Sequence, residues 1–238
     1  MSWLTEQPIA HRGLHGEDVP ENTLGAFEAA IDAGYAIECD VRETADGVPV
    51  VYHDATLRRL TGRDATLTET RWDDVGDLTV LDSGEEIPRL SEALSVIDGQ
   101  VPVLVEVKSR GRPGRLEATV TSRLDSYEGD FALQSFNPLS VRWFGRHRST
   151  WACGQCAGFL EDADGVNPIQ RLILKRLLAN WYSRPDFVSY QHDRLPYGPV
   201  TRWRKKGLPI LAWTITSQVD CQRVREHADN VIFETIRP

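Results

Sequence analysis

The chain predicts an α/β fold, a single (β/α)8 TIM barrel spanning residues 1–238. Three observations carry that expectation. Eight short runs rich in apolar and β-branched residues recur along the sequence. Helix-patterned segments fall between most of them. Histidines, carboxylates and a lysine gather at the C-terminal ends of the early runs, the face on which barrels of this kind build their sites. An open doubly wound sheet is the alternative, and it fits less well because no glycine-rich phosphate loop follows the first strand.

The strand-like runs are 8–12, 36–41, 101–108, 131–136, 151–159, 186–190, 209–216 and 230–235. The helix-like runs are 23–33, 89–98, 115–127, 137–147, 168–182, 198–206 and 217–228. After the second strand, Asp46-Gly47 separates two extended runs, which is a two-residue hairpin signal. A turn centred there sets His53 opposite Asp40 on an antiparallel arm that leaves and rejoins the barrel rim. Residues 54–88 read as a polar, irregular loop insertion over the barrel mouth.

A net charge of −8 argues against a nucleic-acid surface. No apolar stretch approaches the ~20 residues of a membrane span. Few residues precede the first strand, so the expected location is cytoplasmic. Of the four cysteines, Cys153 and Cys156 form a CxxC inside a strand-like run. An offset of three puts them on opposite strand faces, unsuited to zinc or redox chemistry.

His11, Glu38, Asp40, His53 and Glu106 form an ordered set at or just beyond strand ends. Residues i and i+2 share a strand face, so Glu38 pairs with Asp40 and Glu106 with Lys108. Three carboxylates suit one hard divalent cation, Mg2+ or Ca2+. Two histidines suit general acid and base roles near neutral pH. Arg12 and Lys108 add positive charge for a phosphate group. The combination suits metal-assisted cleavage of a phosphate ester.

The motifs AHRG (10–13), PENT (20–23), ECDVRETADGVPVVYHD (38–54), LRRLTG (57–62), LVEVK (104–108), LQSF (133–136) and AWTIT (212–216) together resemble the glycerophosphodiester phosphodiesterase family. The resemblance covers nearly the whole chain. It implies a distorted barrel, one divalent metal, and hydrolysis of a glycerophosphodiester to glycerol phosphate and an alcohol. It implies His11 and His53 as the acid/base pair, Glu38, Asp40 and Glu106 as metal ligands, and Arg12 and Lys108 as phosphate contacts. The last strand departs from the family pattern, carrying Glu234-Thr235 where a Thr-Asp pair is usual. Two alternatives stay open: a lyase-type enzyme that releases a cyclic phosphate, resembling phosphoinositide-specific phospholipase C or sphingomyelinase D, and a non-catalytic glycerophosphodiester-binding protein.

Other features have plainer readings. Asn22 or Thr23 caps the first long helix, and Glu21 braces the rim. His15 reads as a solvated loop residue. Trp213 either stacks on the substrate or packs in the core. The apolar stripe of 168–182 is expected to pack on the barrel, with peripheral membrane contact or a homodimer contact as the less favoured uses. The basic cluster 202–206 reads as a solvated helix end. The expected partner is a small-molecule glycerophosphodiester.

Overall fold

The computed structural model describes residues 2–161 and 166–238. The chain has the (β/α)8 fold of the TIM barrel, eight parallel strands with intervening helices, with one further strand paired antiparallel. It divides into two compact units, residues 10–131 and residues 1–9 with 132–238.

The first unit begins at the end of strand β1 (Ile9–Ala10; the short helix α1, Trp3–Glu6, precedes it). It contains β2 (Ala36–Glu43), β3 (Pro49–Val51) and β4 (Val103–Val107), with helices α2 (Leu24–Asp32), α3 (Arg58–Thr61), α4 (Leu90–Ile97) and α5 (Arg115–Leu124). β2 pairs in parallel with β4, placing Asp40 beside Glu106 and Glu38 beside Leu104. Every residue of β4 is buried, as its continuous apolar run requires of a strand covered on both faces. Thr23 starts α2 by accepting the Ala26 N–H, one of the donors that a helix leaves unpaired at its N-terminus.

The arm after β2 has a different register from the one the sequence suggested. β3 pairs antiparallel with β2, but Val41 lies opposite Val51 and the Tyr52 N–H donates to the Asp40 carbonyl at 2.9 Å. Tyr52, not His53, is therefore opposite Asp40. The reason is the turn. Gly47 N–H donates to the Thr44 carbonyl and Thr44 N–H to Val48, so the bend sits on Ala45-Asp46, with Gly47 following at φ +86°. A type I turn closed by a left-handed glycine makes a three-residue loop, one longer than the two-residue turn. A shift of one position moves each side chain to the other face.

The 54–88 segment is also more ordered than a polar loop. It holds α3 and two short 3₁₀ turns, Leu67–Glu69 and Trp72–Asp74. Leu57, Leu60, Leu67, Val75, Val80 and Ile87 pack with Val50 and Tyr52 into an apolar cluster of their own.

The second unit carries β5 (Phe131–Ser135, whose first residue belongs to the other unit), β6 (Cys153–Ala157), β7 (Phe187–Gln191), β8 (Ile210–Ile215) and β9 (Asn230–Phe233). They pair in parallel in chain order from β5 to β9. The helices are α6 (Pro138–His147), α7 (Pro168–Lys175), α8 (Asn180–Ser183), α9 (Gly198–Arg204) and α10 (Gln218–Val224). Caps recur at their starts: Asn137, Asn167 and Ser217 each accept a backbone N–H from the first turn.

The 168–182 run is two helices rather than one, and it does not pack its whole apolar stripe inward. Leu174 and Leu177 are buried, while Ile169, Leu172, Leu178, Trp181 and Tyr182 are exposed. All four cysteines are buried and free. Among the described residues no helix is long and apolar enough to cross a membrane.

Candidate active site

Seven of the eight site residues expected from the sequence lie in the unit of residues 10–131. The eighth, Trp213, is on β8 in the other unit, packed edge to face against Phe136 with ring centroids 5.7 Å apart.

The backbone just after β1 makes a tight passage. Arg12 has φ +55°, and Gly13 follows at +80°. A Cβ on Gly13 would fall 2.8 Å from the Ala26 side chain, so glycine is required both for its conformation and for its space. This bend aims the Arg12 N–H at Glu38, whose Oε2 accepts it at 3.0 Å. Asn22, also left-handed at φ +58°, donates its own N–H to the Arg12 carbonyl.

Glu38, Asp40 and Glu106 offer oxygens that all lie within 4.8 Å of one another. Their adjacency follows from the β2–β4 register and from the i, i+2 spacing on β2. Asp40 is the most heavily engaged. Asn22 Nδ2 donates to Asp40 Oδ2 at 2.9 Å, and the Asp40 N–H donates back to Asn22 Oδ1 at 3.1 Å. Arg12 Nε lies 3.2 Å and Lys108 Nζ 2.8 Å from its carboxylate. Lys108 also reaches Glu106 at 2.5 Å.

The three acids are not equivalent. Burial opposes ionisation of Asp40, but Lys108, His53, Arg12 and His11 together hold its carboxyl well below the usual range. Burial, and then the charges of Asp40 and Glu106, push Glu38 well above it. Glu38 Oε1 is buried and accepts no hydrogen bond among the described residues. A buried carboxylate oxygen without a donor, facing two more carboxylates, fits a divalent cation of oxygen-ligand type. Such a charge would reverse the repulsion that now disfavours ionised Glu38.

His53 sits at the end of a polar chain that the sequence reading did not contain. Its Nδ1 lies 2.7 Å from Asp54 Oδ1. Burial would raise Asp54, but its hydrogen bonds to His53 and Arg59 hold it below the carboxylate range, so it is ionised and can only accept. Nδ1 therefore carries the proton, and in the neutral ring Nε2 is left as the acceptor nitrogen. Arg59 grips Asp54 through Nε at 2.6 Å and Glu21 through both terminal nitrogens. Glu21 also accepts from Arg12 at 2.7 Å. Burial acts against it, yet the bonds and charges of Arg59 and Arg12 take Glu21 down to about 2. Arg42 secures the His53 backbone, donating from Nε to its carbonyl at 2.7 Å.

Asn22, Asp54 and Arg59 are thus site residues that the sequence reading missed. Asn22 was one of two candidate caps; the structure gives the cap to Thr23 and turns Asn22, 2% exposed, onto Asp40. The signal for Asp54 was its position beside His53, since adjacent His-Asp side chains at a strand end have room to meet. Arg59 lies in the LRRLTG motif, but nothing local tied it to the site, because its partners lie 5 and 38 residues away.

A model of the glycerophosphoryl diester phosphodiesterase family matches residues 11–233. The chain is 38% identical over 238 residues to a glycerophosphodiester phosphodiesterase of Caldanaerobacter subterraneus subsp. tengcongensis, covering 95% of this chain and 93% of that one. It is 33% identical over 239 residues to the human glycerophosphodiester phosphodiesterase 1, covering 88% of this chain and 71% of that one. Among solved structures it is similar to an Oleispira antarctica phosphodiesterase in complex with the product sn-glycerol-3-phosphate, with a TM-score of 0.81, 22% identity, and 97% and 93% of the two chains covered. It is also similar to a Thermotoga maritima glycerophosphodiester phosphodiesterase, with a TM-score of 0.72, 24% identity, and 96% and 94% covered. At these identities the structural likenesses bear on the fold.

Proposed function

Because this chain belongs to the glycerophosphoryl diester phosphodiesterase family, we propose that it hydrolyses glycerophosphodiesters to glycerol phosphate and an alcohol with the help of one divalent cation. The observation that carries the proposal is the buried carboxylate trio with its donor-free Glu38 oxygen, in the same unit as an Asp54-held histidine. Glu38, Asp40 and Glu106 would hold Mg2+ or Ca2+. When bound, the cation supplies Lewis-acid polarisation of a phosphoryl oxygen and offsets developing negative charge.

The protein's own groups do the rest. Arg12 and Lys108 bring positive charge for the non-bridging phosphate oxygens, each anchored beside the carboxylates. His53 exchanges a proton at Nε2 while Asp54 fixes its tautomer, and His11 serves as the opposite partner in acid–base transfer. Trp213 offers an aromatic face to the glycerol or its leaving group. We extend the reading to a single-domain organisation over residues 1–238 and to a cytoplasmic location, which four free, buried cysteines support.

The test is direct. The protein is stripped with chelator, reloaded with Mg2+ or Ca2+, and incubated with a panel of glycerophosphodiesters while ³¹P NMR follows the products. Linear glycerol phosphate, formed only after reloading, is the expected result. A cyclic phosphate would replace hydrolysis by lyase chemistry. Ligand binding without turnover would remove the enzymatic reading.

A further inference from the structure

The unit of residues 132–238 carries an exposed surface for which the hydrolytic site has no use. Ile169 is 71% and Trp181 70% exposed, and Leu172, Leu178 and Tyr182 are more than half or nearly half exposed. Ile169 and Leu172 are three residues apart on α7 and so share a face. Leu174, the buried residue of that helix, lies five and two positions away, at least about 140° around the axis. The face bearing Ile169 and Leu172 is thus turned away from the core. Farther along the chain, α8 and the end of α9 add exposed aromatic surface, where Trp181 meets Trp203 with ring centroids 5.2 Å apart. Lys206 Nζ caps both rings, at 4.3 and 4.9 Å from their centroids.

The charge of these segments opposes that of the chain. Residues 166–185 and 195–219 contain eight Lys and Arg and no Asp or Glu, in a protein of net charge −8. Three of its four lysines, Lys175, Lys205 and Lys206, are here, while the fourth, Lys108, is at the active site. Arg204 is committed to Asp229 at 2.9 Å, and the rest of the set still leaves a strong positive excess.

We infer that this α7–α8–α9 surface docks on an anionic phospholipid bilayer. The composition is that of an interfacial element, with Trp, Tyr and aliphatic side chains to enter the headgroup boundary and Lys and Arg to meet lipid phosphates. A second copy of the chain fits less well. A two-fold interface sets the same patch against itself, and here that would face one basic cluster with another. None of the residues of this surface is among the proposed catalytic residues, so the inference stands or falls independently of the proposed reaction.

The experiment is flotation of the full chain with phosphatidylcholine vesicles and with equimolar phosphatidylcholine–phosphatidylglycerol vesicles, at rising salt. Binding to the anionic vesicles only, weakening as salt rises, is expected. K205Q/K206Q should lower the partition coefficient roughly 30-fold, about fivefold per charge near the surface. Trp181→Ser should lower it without altering the salt dependence, and turnover of a soluble glycerophosphodiester should be unchanged in both variants. Absence of binding to anionic vesicles, or equal binding by the variants, overturns the inference. So does a dimer in sedimentation equilibrium that Trp181→Ser dissolves, which would give the surface to a second copy.

Discussion

Replacing Asn22 tests whether Asp40 is held in place or merely located by its strand. Asn22 is buried and makes two hydrogen bonds to the same residue, Nδ2 to Asp40 Oδ2 at 2.9 Å and Oδ1 from the Asp40 N–H at 3.1 Å. The first is a bond to a charged acceptor, worth about 1.5–3 kcal/mol, and losing the second leaves a buried amide without its acceptor, at about 1–3 kcal/mol. Asn22→Gly should therefore destabilise the protein by roughly 3–5 kcal/mol, or on the order of 10 °C in Tm for a chain of this size. Asn22→Ala should cost roughly 1–2 kcal/mol more, because φ is +58° here and alanine pays for a left-handed conformation that glycine accepts. The ordering, with alanine worse than glycine, separates the backbone contribution from the hydrogen bonds. Cation affinity, measured by calorimetry on chelator-stripped protein, should weaken about 10–100-fold in both variants, the range for losing a group that orients a ligand. Asn22→Gly within about 1 kcal/mol of wild type, with unchanged cation affinity, would refute the claim that these bonds position Asp40.

Other expectations concern the same network. Glu38→Gln should raise the Tm of metal-free protein, because burial and its acidic neighbours already disfavour its charge, while abolishing the gain in Tm that Mg2+ or Ca2+ gives; a lower metal-free Tm would contradict it. Glu21 is depressed from 4.5 to about 2, so its contribution is fully present above its unfolded value and is lost as pH falls through the folded one. Glu21→Gln should therefore flatten the acid limb of stability between about pH 5 and 2, by an amount on the order of 3 kcal/mol, and an unchanged limb in denaturant titrations would count against the Arg59–Glu21–Arg12 network. His11→Ala and His53→Ala should each lose ~10²–10⁴ in kcat with cation binding intact, and the double variant should lose little more than the worse single one. Asp54→Asn should lower kcat while leaving KM nearly unchanged, because it frees the tautomer of His53; wild-type kcat in Asp54→Asn would make the pair structural.

The barrel was legible because its strands are buried on both faces, and such strands appear as unbroken apolar runs. VPVLVEVK and PILAWTIT mark β4 and β8 to within two residues. The carboxylates were legible for the same reason, since polar residues inside those runs have few structural explanations. The arm's register was not. A two-residue and a three-residue turn both use Asp-Gly, and the choice rests on whether Ala45 or Gly47 takes part in the bend. The insertion's cluster was hidden because Leu57, Leu60, Leu67, Val75 and Val80 follow neither a strand nor a helix period. The amphipathic pattern of 168–182 showed a stripe but not what, if anything, covers it. Asn22, Asp54 and Arg59 escaped because side-chain networks join residues that are remote in sequence, and a cap, a spare acid and a helix arginine look ordinary alone.

Arg59 stands on α3 directly before Leu60, which is buried in the insertion's own apolar cluster. One guanidinium therefore reports the packing of that cluster to two places at once, through Asp54 to the tautomer of His53 and through Glu21 to the loop that carries Arg12 and Asn22. The insertion is in effect a tensioner for the chemistry. On the proposed mechanism, loosening it by a methyl or two at Leu60 would disturb the tautomer of His53, the placement of Arg12 and the hold of Asn22 on Asp40 together, leaving the barrel strands where they are. Sequence change in residues 54–88 thus reaches the proposed acid–base and phosphate-binding groups without replacing any of them.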